Sequence, residues 1–260
     1  MVLGNSVYDF DEETGRVGHS RSGQRAFSAL LSLNSFLSDL PRPVQADLVS
    51  SAVTRVFVRN QQLRGNPGSA VHIVISGCVY EESSYGEDTT ARIHGSGAVL
   101  GVSEIFDPGL HAPTSRCLGP TATLMIPMTR IRVMGENSGA LATAFGKALT
   151  DQLVTAERVY NRRALQPEQR LAGLFVHLLD RCAVPCSIYG RKIEGPSQSD
   201  LAEALGVSRA TVENSLKALR KEGLIDTGYR QYRFPDEREL ALFGKVRSLS
   251  QTVTGTDSLP

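Results

Sequence analysis

Gln198-Ser199-Asp200-Leu201-Ala202-Glu203-Ala204-Leu205-Gly206-Val207-Ser208-Arg209-Ala210-Thr211-Val212-Glu213-Asn214-Ser215-Leu216 reads as two short helices joined by a tight turn. Leu201, Ala204 and Leu205 share one apolar stripe, and Val212, Leu216 and Leu219 share another. Gly206 stands where the first helix must stop on a left-handed residue, and Ser208 is a good N-cap for the second. The start of that second helix carries Arg209, Ala210, Thr211, Asn214 and Ser215, which are small or able to hydrogen-bond. An ordinary pair of core helices can mimic this pattern. Periodicity, turn glycine and cap arriving in the right order instead predict a helix-turn-helix whose second helix enters the DNA major groove.

The residues that follow predict a wing. Leu219-Arg220-Lys221-Glu222-Gly223 closes the second helix. Leu224-Ile225 and Tyr229-Arg230-Gln231-Tyr232-Arg233-Phe234 then read as two short strands around the turn Asp226-Thr227-Gly228. Arg230 and Arg233 near that hairpin's tip suit contact with phosphates flanking the groove.

Charge neither adds to this reading nor removes it. The 260 residues carry a formal net charge of +1, and the stretch from Pro196 to Arg247 holds nine Lys or Arg against eight Asp or Glu. A reader of specific sequences needs only a few well-placed cations. No apolar run approaches membrane-spanning length and the start is too polar for a signal peptide, so a cytoplasmic protein without membrane contact is expected. The four cysteines (Cys78, Cys117, Cys182, Cys186) are too few and scattered for a disulfide scaffold. Cys182 and Cys186 form a CxxxC pair without a second pair, and His177 nearby falls on a packed or solvated helix face. Structural cysteines and no metal site are expected.

Working outward, Phe27 to Leu37 and Pro43 to Ser51 read as short helices. Val53–Val58, Val71–Ile75, Cys78–Tyr80, Ala91–Ile93 and Ala122–Ile126 are β-branched or aromatic runs. Gly65-Asn66-Pro67-Gly68, Ser76-Gly77, Tyr85–Asp88 and His94–Gly97 separate them, which predicts an antiparallel roll. After Gly135 a helical pattern continues to about Ala164. Leu141, Phe145, Leu149, Gln152, Leu153, Ala156 and Tyr160 fall close to a heptad stripe there, the expected seam of a homodimer. A helix lying wholly against its own roll is the alternative. The fold class is therefore α+β, with five expected segments. These are a flexible arm (1–24), a β-roll sensor (25–134), a central dimerisation helix (135–165), a winged helix-turn-helix (166–244) and a flexible tail (245–260).

With this order of roll, long helix and winged helix, the chain resembles the Crp–Fnr family of bacterial transcription regulators, from about Phe27 to Phe234. Val71-His-Ile-Val-Ile-Ser-Gly77-Cys-Val79 is similar to the family's strand–Gly–strand signature. Gly206-Val-Ser208-Arg209-Ala-Thr211-Val212 is similar to its recognition-helix motif. The resemblance implies phosphate contacts from Ser208 and Thr211, with Arg209, Ala210 and Asn214 facing base edges. Arg209 is chemically suited to a guanine O6 and N7, and Asn214 to an adenine or a backbone oxygen. Ser199, Ser215, Lys217, Arg230 and Arg233 complete the expected DNA-binding set. The family often has an acidic residue where Ala210 stands and an arginine where Asn214 stands, so an altered operator is expected. RNA polymerase is a further partner that the resemblance implies.

The resemblance also implies a cyclic-nucleotide-binding-like roll, and Val154-Thr155-Ala156-Glu157-Arg158-Val159 is similar to the helix stretch that reaches the ligand in cyclic-nucleotide members. Their phosphate cassette runs Gly-Glu-Leu, then Arg followed by Ser or Thr. Here the stretch is Gly101-Val102-Ser103-Glu104-Ile105-Phe106, then Ala112-Pro113-Thr114-Ser115-Arg116. Glu104 stands two places late and Arg116 follows the serine. A cyclic phosphate buried there would lack its usual charge-assisted partner. Gly101, Glu104, Ser115, Arg116 and Thr155 are the candidate effector residues; no cofactor is expected, with a cyclic nucleotide as the alternative. No Cys precedes Cys78 to hold an iron–sulfur cluster, and His72, His94 and His111 lack a haem-binding pattern. Scanning finds no P-loop, G-x-S-x-G or H-E-x-x-H, so no enzyme is expected. The competing reading is an effector-sensing protein whose winged helix docks a protein partner. A docking helix, however, would show more apolar residues where Arg209, Thr211 and Asn214 stand.

Overall fold

The computed structural model describes residues 10–11, 16–17, 34–63, 69–86, 88–108 and 113–246. Most of the expected arm, the Gly65–Gly68 turn, His111, Ala112 and the tail from 247 onward lie outside these residues. Two compact units are present: Met1–Val79 with Gly95–Asp151, and Tyr80–His94 with Gln152–Pro260.

The first unit begins with the paired strands β1 (Phe10–Asp11) and β2 (Arg16–Val17). Helices α1 (Ser35–Ser38) and α2 (Arg42–Ser51) follow, then strands β3 (Val53–Phe57) and β4 (Ala70–Ser76). Strands β5 (Val79–Tyr85) and β6 (Asp88–His94) are adjacent, and their segment Tyr80–His94 is counted with the second unit. Beyond them come β7 (Val99–Leu100), α3 (Ser103–Phe106), β8 (Thr114–Cys117), β9 (Thr121–Pro127), α4 (Met128–Asn137) and α5 (Gly139–Thr155). Strands β3, β9, β4 and β7 form one antiparallel sheet in that order. β4 reads as a continuous apolar run because nearly all of it is buried. Val71, Ile73, Ile75, Leu124 and Ile126 pack with Leu37, Leu48, Leu141 and Phe145, and Phe36 stacks on Phe145 at 5.7 Å. The strand–Gly–strand signature has a steric cause. Gly77 sits at φ +100°, and a Cβ there would lie 2.5 Å from Thr121 Oγ1 and 2.6 Å from the Pro120 carbonyl.

The central helix differs from expectation. It is not one element over 135–165: α4 runs to Asn137, Ser138 leaves the helical region, and α5 restarts at Gly139. Ser138 Oγ accepts from the Leu141 N–H at 3.3 Å, so the serine caps a new helix. α5 then passes into a single π turn over Ala156–Tyr160. The expected seam is corrected as well. Leu141 and Phe145 are buried in their own core, with Leu149 packed against it. Ala156 and Tyr160 are buried too, and the Tyr160 hydroxyl donates to the Ile93 carbonyl and accepts its N–H. A heptad stripe marks a buried face but does not say what buries it. Of that set Gln152 is half-buried, and Leu153 is exposed at 64%.

The second unit adds α6 (Pro167–Cys182), β10 (Ala183–Cys186), β11 (Gly190–Glu194), α7 (Gln198–Leu205), α8 (Arg209–Lys221), β12 (Asp226–Gly228), β13 (Gln231–Arg233) and α9 (Glu237–Phe243). α6 packs against α8, α7 and α9. Its Phe175 lies against Tyr232 and Phe234, with ring centroids at 4.8 and 5.4 Å. The sheet order β10-β11-β13-β12 shows that the wing is half of a four-stranded sheet. The β10–β11 hairpin was not anticipated; its residues had been read only for their cysteines. All four cysteines are free thiols. Cys182 is buried with its thiol 3.6 Å from the His94 carbonyl, and backbone N–H groups of Tyr189 and Ile188 hold the Cys186 thiol below the usual range.

His177 lies inside this unit, edge-on to Tyr160 at 6.4 Å. Burial pushes its imidazole down to about 3, with repulsion from Arg181 and His94 and an opposing hydrogen bond with the Ile93 backbone. A histidine neutral when folded takes up protons on unfolding below about pH 6.5. Its stabilising effect is therefore whole above that pH and lost as pH falls toward 3. The unit should lose about 1.4 kcal/mol per pH unit below about 6.5 from this group alone. Denaturant midpoints at pH 7, 6 and 5 would read it, and His177→Leu should flatten the slope.

Candidate nucleic-acid interface

α7 begins with a capping box. Ser197 Oγ accepts from the Asp200 N–H at 3.2 Å, while Asp200 Oδ2 accepts from the Ser197 N–H and Oγ–H, both at 2.6 Å. It ends on Gly206, whose φ of +61° and ψ of +43° form the left-handed cap that turns the chain. Ser208 then caps α8, accepting from the Thr211 N–H at 3.0 Å, and the two hydroxyls are 2.8 Å apart. Val212, Leu216 and Leu219 are buried. Arg209, Ala210, Glu213, Asn214, Lys217, Arg220 and Lys221 remain exposed.

The candidate DNA-binding residues divide accordingly. Arg209, Ala210, Asn214 and Lys217 share the solvent face, with Lys217 paired to Glu213 at 3.1 Å. Ser208 and Thr211 stand at its N-terminal edge, and Ser199 is half-buried in the first turn of α7. Ser215 faces the other way: it is buried, and its hydroxyl donates to the Thr211 carbonyl at 2.9 Å. One residue of helix rotation separates it from Asn214, which is enough to move a side chain across the boundary.

The wing turn also shifts. Asp226, Thr227 and Gly228 are not the turn but the strand β12, paired with Arg233, Tyr232 and Gln231, so the two-residue loop is Tyr229-Arg230. The Arg230 side chain points inward. Its Nε–H donates to the Gly195 carbonyl at 3.0 Å, and its Nη2 lies 3.3 Å from Asp200 Oδ2. Arg233 Nη2 donates to Gln231 Oε1 at 3.0 Å. The exposed tip residue is Tyr229, at 87%. Tyr229 and Arg220, which donates to Thr227 Oγ1 at 3.1 Å, lie outside the set expected from sequence.

Residues 169–243 match the Crp-like helix-turn-helix domain family. The chain carries a Crp-like helix-turn-helix domain. Solved structures share its fold. FixK2 from Bradyrhizobium japonicum is 19% identical (TM-score 0.60, covering 74% of this chain and 96% of that one). A putative cyclic nucleotide binding protein from Ruegeria pomeroyi is 16% identical (TM-score 0.62, 86% and 99%). The c-di-GMP responsive regulator CLP from Xanthomonas campestris is 18% identical (TM-score 0.59, 75% and 100%). No curated protein matches at the level of sequence.

The candidate effector residues are placed as follows. Gly101 is buried at φ +87°, and Glu104 is buried in α3, its carbonyl accepting from Arg132 Nη2 at 2.8 Å. Ser115 and Arg116 lie in β8, where Ser115 is buried and Arg116 half-buried. The Ser115 carbonyl accepts from the Leu63 N–H at 2.9 Å, and Arg116 bridges to Gln62. Among the described residues, the buried Ser115 Oγ has no hydrogen-bond partner. Thr155, the last residue of α5, is half-buried. His72 is buried with Nδ1 3.1 Å from Thr123 Oγ1, and His94 pairs with Glu81 at 3.3 Å. Among the described residues no three His, Cys, Asp or Glu side chains gather as a metal site, and no helix is long and apolar enough to cross a membrane.

Proposed function

We propose that this chain is a homodimeric, sequence-specific regulator that lays α8 in the major groove of a pseudo-palindromic operator. The supporting observation is the face of α8. Its apolar residues are buried, while Arg209, Ala210, Asn214 and Lys217 stand free of the core beside the capped Ser208–Thr211 edge. The face holds no large apolar residue, which favours a polyanion over a protein partner. Half-sites would lie one helical turn apart, roughly 10 base pairs centre to centre.

Leu141 and Phe145 are buried in their own core, so the dimer seam proposed here runs along the exposed side of α5. Thr143, Gly146, Thr150 and Leu153 follow one another at spacings of three and four and are exposed. Leu153→Glu should yield a monomer by light scattering, with the thermal transition retained and operator affinity down about 100-fold because one half-site must then bind alone. A dimer of unchanged strength would move the seam elsewhere.

The roll would supply regulation. The buried Ser115 hydroxyl, unpartnered among the described residues, offers a ligand one polar group, but the altered cassette argues against a cyclic phosphate, and operator binding without effector is the proposal. Selection from random duplexes on the effector-free protein tests it. A palindromic site supports the reading. Weak, salt-labile binding to every duplex would overturn effector-free recognition, and the same selection with cyclic nucleotides would show whether one restores it.

A further inference from the structure

Arg230 occupies backbone space that residues with a Cβ rarely enter, at φ +53°. Such a conformation persists where its surroundings over-determine it, and here they do. The Gly195 N–H donates to the Arg230 carbonyl at 3.1 Å, and the Arg230 Nε–H donates back to the Gly195 carbonyl at 3.0 Å. Arg230 Nη2 reaches Asp200 Oδ2, whose side chain is only 4% exposed against 20% for Arg230. That carboxylate oxygen is the one that also takes the Ser197 N–H and hydroxyl in the capping box of α7. Nearby, the Tyr232 hydroxyl donates to the Pro196 carbonyl at 3.3 Å. The guanidinium expected to hold phosphate is thus spent inside the domain, tying the wing tip to the N-terminus of the first helix.

Resting on the DNA-reading function above, we propose that Arg230 is a positioning residue that braces the wing against Asp200, and that Tyr229 is the group the wing lays on the DNA sugar–phosphate backbone. The first helix of this motif crosses the backbone. The brace fastens the tip beside that helix's N-terminal turn. A tyrosine there offers an apolar ring for the sugars and a hydroxyl for a phosphate oxygen. A guanidinium forked onto two acceptors cannot be replaced by a lysine at the same geometry.

The test uses the full chain and its selected operator, with affinity measured across a salt series for the wild type, Arg209→Ala, Tyr229→Ala, Arg230→Ala, Arg230→Lys and Asp200→Asn. Tyr229→Ala should weaken binding about 5-fold on operator and scrambled duplex alike, with the salt slope unchanged because no charge is lost. Arg230→Lys should be as weak as Arg230→Ala, about 10-fold below wild type. Asp200→Asn combined with Arg230→Ala should be weaker by less than the sum of the two single effects, since the two changes share one contact. If Arg230 held phosphate instead, Arg230→Ala would lower the salt slope by about 1 and Arg230→Lys would restore binding; that result overturns the brace. Wild-type affinity for Tyr229→Ala overturns the contact.

Amide exchange without DNA separates this proposal from the reading it rests on. In Arg230→Lys, which keeps the charge and is the variant more apt to fold, the amides of Gly228, Tyr229 and Gln231 should exchange about 10-fold faster while those of α8 do not. Unchanged wing exchange overturns the brace whatever the DNA result. Faster wing exchange in Arg230→Lys, beside a wild type that binds no duplex, would uphold the brace, overturn the Tyr229 contact and remove the proposed function. Loss of operator preference in Arg209→Ala, with Tyr229→Ala unaffected, would leave the function intact and sink the contact.

Discussion

On the proposed reading of DNA by α8, Arg209→Ala should leave the protein folded yet nearly blind to its operator. The side chain is exposed on the first turn of α8, and its removal takes nothing from the core. A bidentate contact to a guanine is worth about 1–3 kcal/mol of discrimination. Over two half-sites this becomes about 2–6 kcal/mol, or roughly 30-fold to ten-thousand-fold in preference over a scrambled duplex. Competition between the two duplexes at fixed salt measures it. Equal weakening on both duplexes would reduce Arg209 to a phosphate contact and leave Asn214 to carry base selection.

The second large effect is expected far from the groove. Phe175 is fully buried in α6 and touches both aromatic residues of the β13 strand and its exit, Tyr232 and Phe234. Phe175→Ala would cost about 3–5 kcal/mol through lost burial and the cavity left behind. A domain of this size is stable by about 5–15 kcal/mol, so little would remain. Its melting temperature should fall by roughly 15 °C or more. Calorimetry should show the C-terminal transition moving while that of the roll stays. A shift of under about 5 °C would mean that the cavity collapses and that the wing does not depend on this ring.

What could be read in the residues was what they decide locally. Ser197 with Asp200, Gly206 and Ser208 are chemical signals confined to three or four positions, and both helices of the reading motif start and stop where those signals stand. The wing turn was displaced by three residues because strand register is set across the sheet. Gly228 looked like the turn, but the bonds of Arg230 to Gly195 and Asp200 fix the turn after it. Leu141 and Phe145 had the correct period for a seam and the wrong partner, since periodicity is blind to what covers a face. The Tyr80 hydroxyl donates to Glu203 Oε2 at 2.7 Å across a separation of 123 residues, a contact invisible to any local pattern.

That last bond has a consequence for recombination. Tyr80 reaches α7, Ile93 satisfies Tyr160, and His94 accepts from Cys182, so a hairpin drawn from the middle of the roll's sequence is structurally part of the reading domain. A chimera joined within α5 would graft this domain onto a stranger's hairpin, leaving Glu203 without the Tyr80 hydroxyl. Exchange of residues 80–94 along with 152–246 keeps the heritable piece whole. Lesions in that hairpin should likewise sort, in a screen for lost repression or activation, with those of the recognition helix and not with their neighbours in the chain.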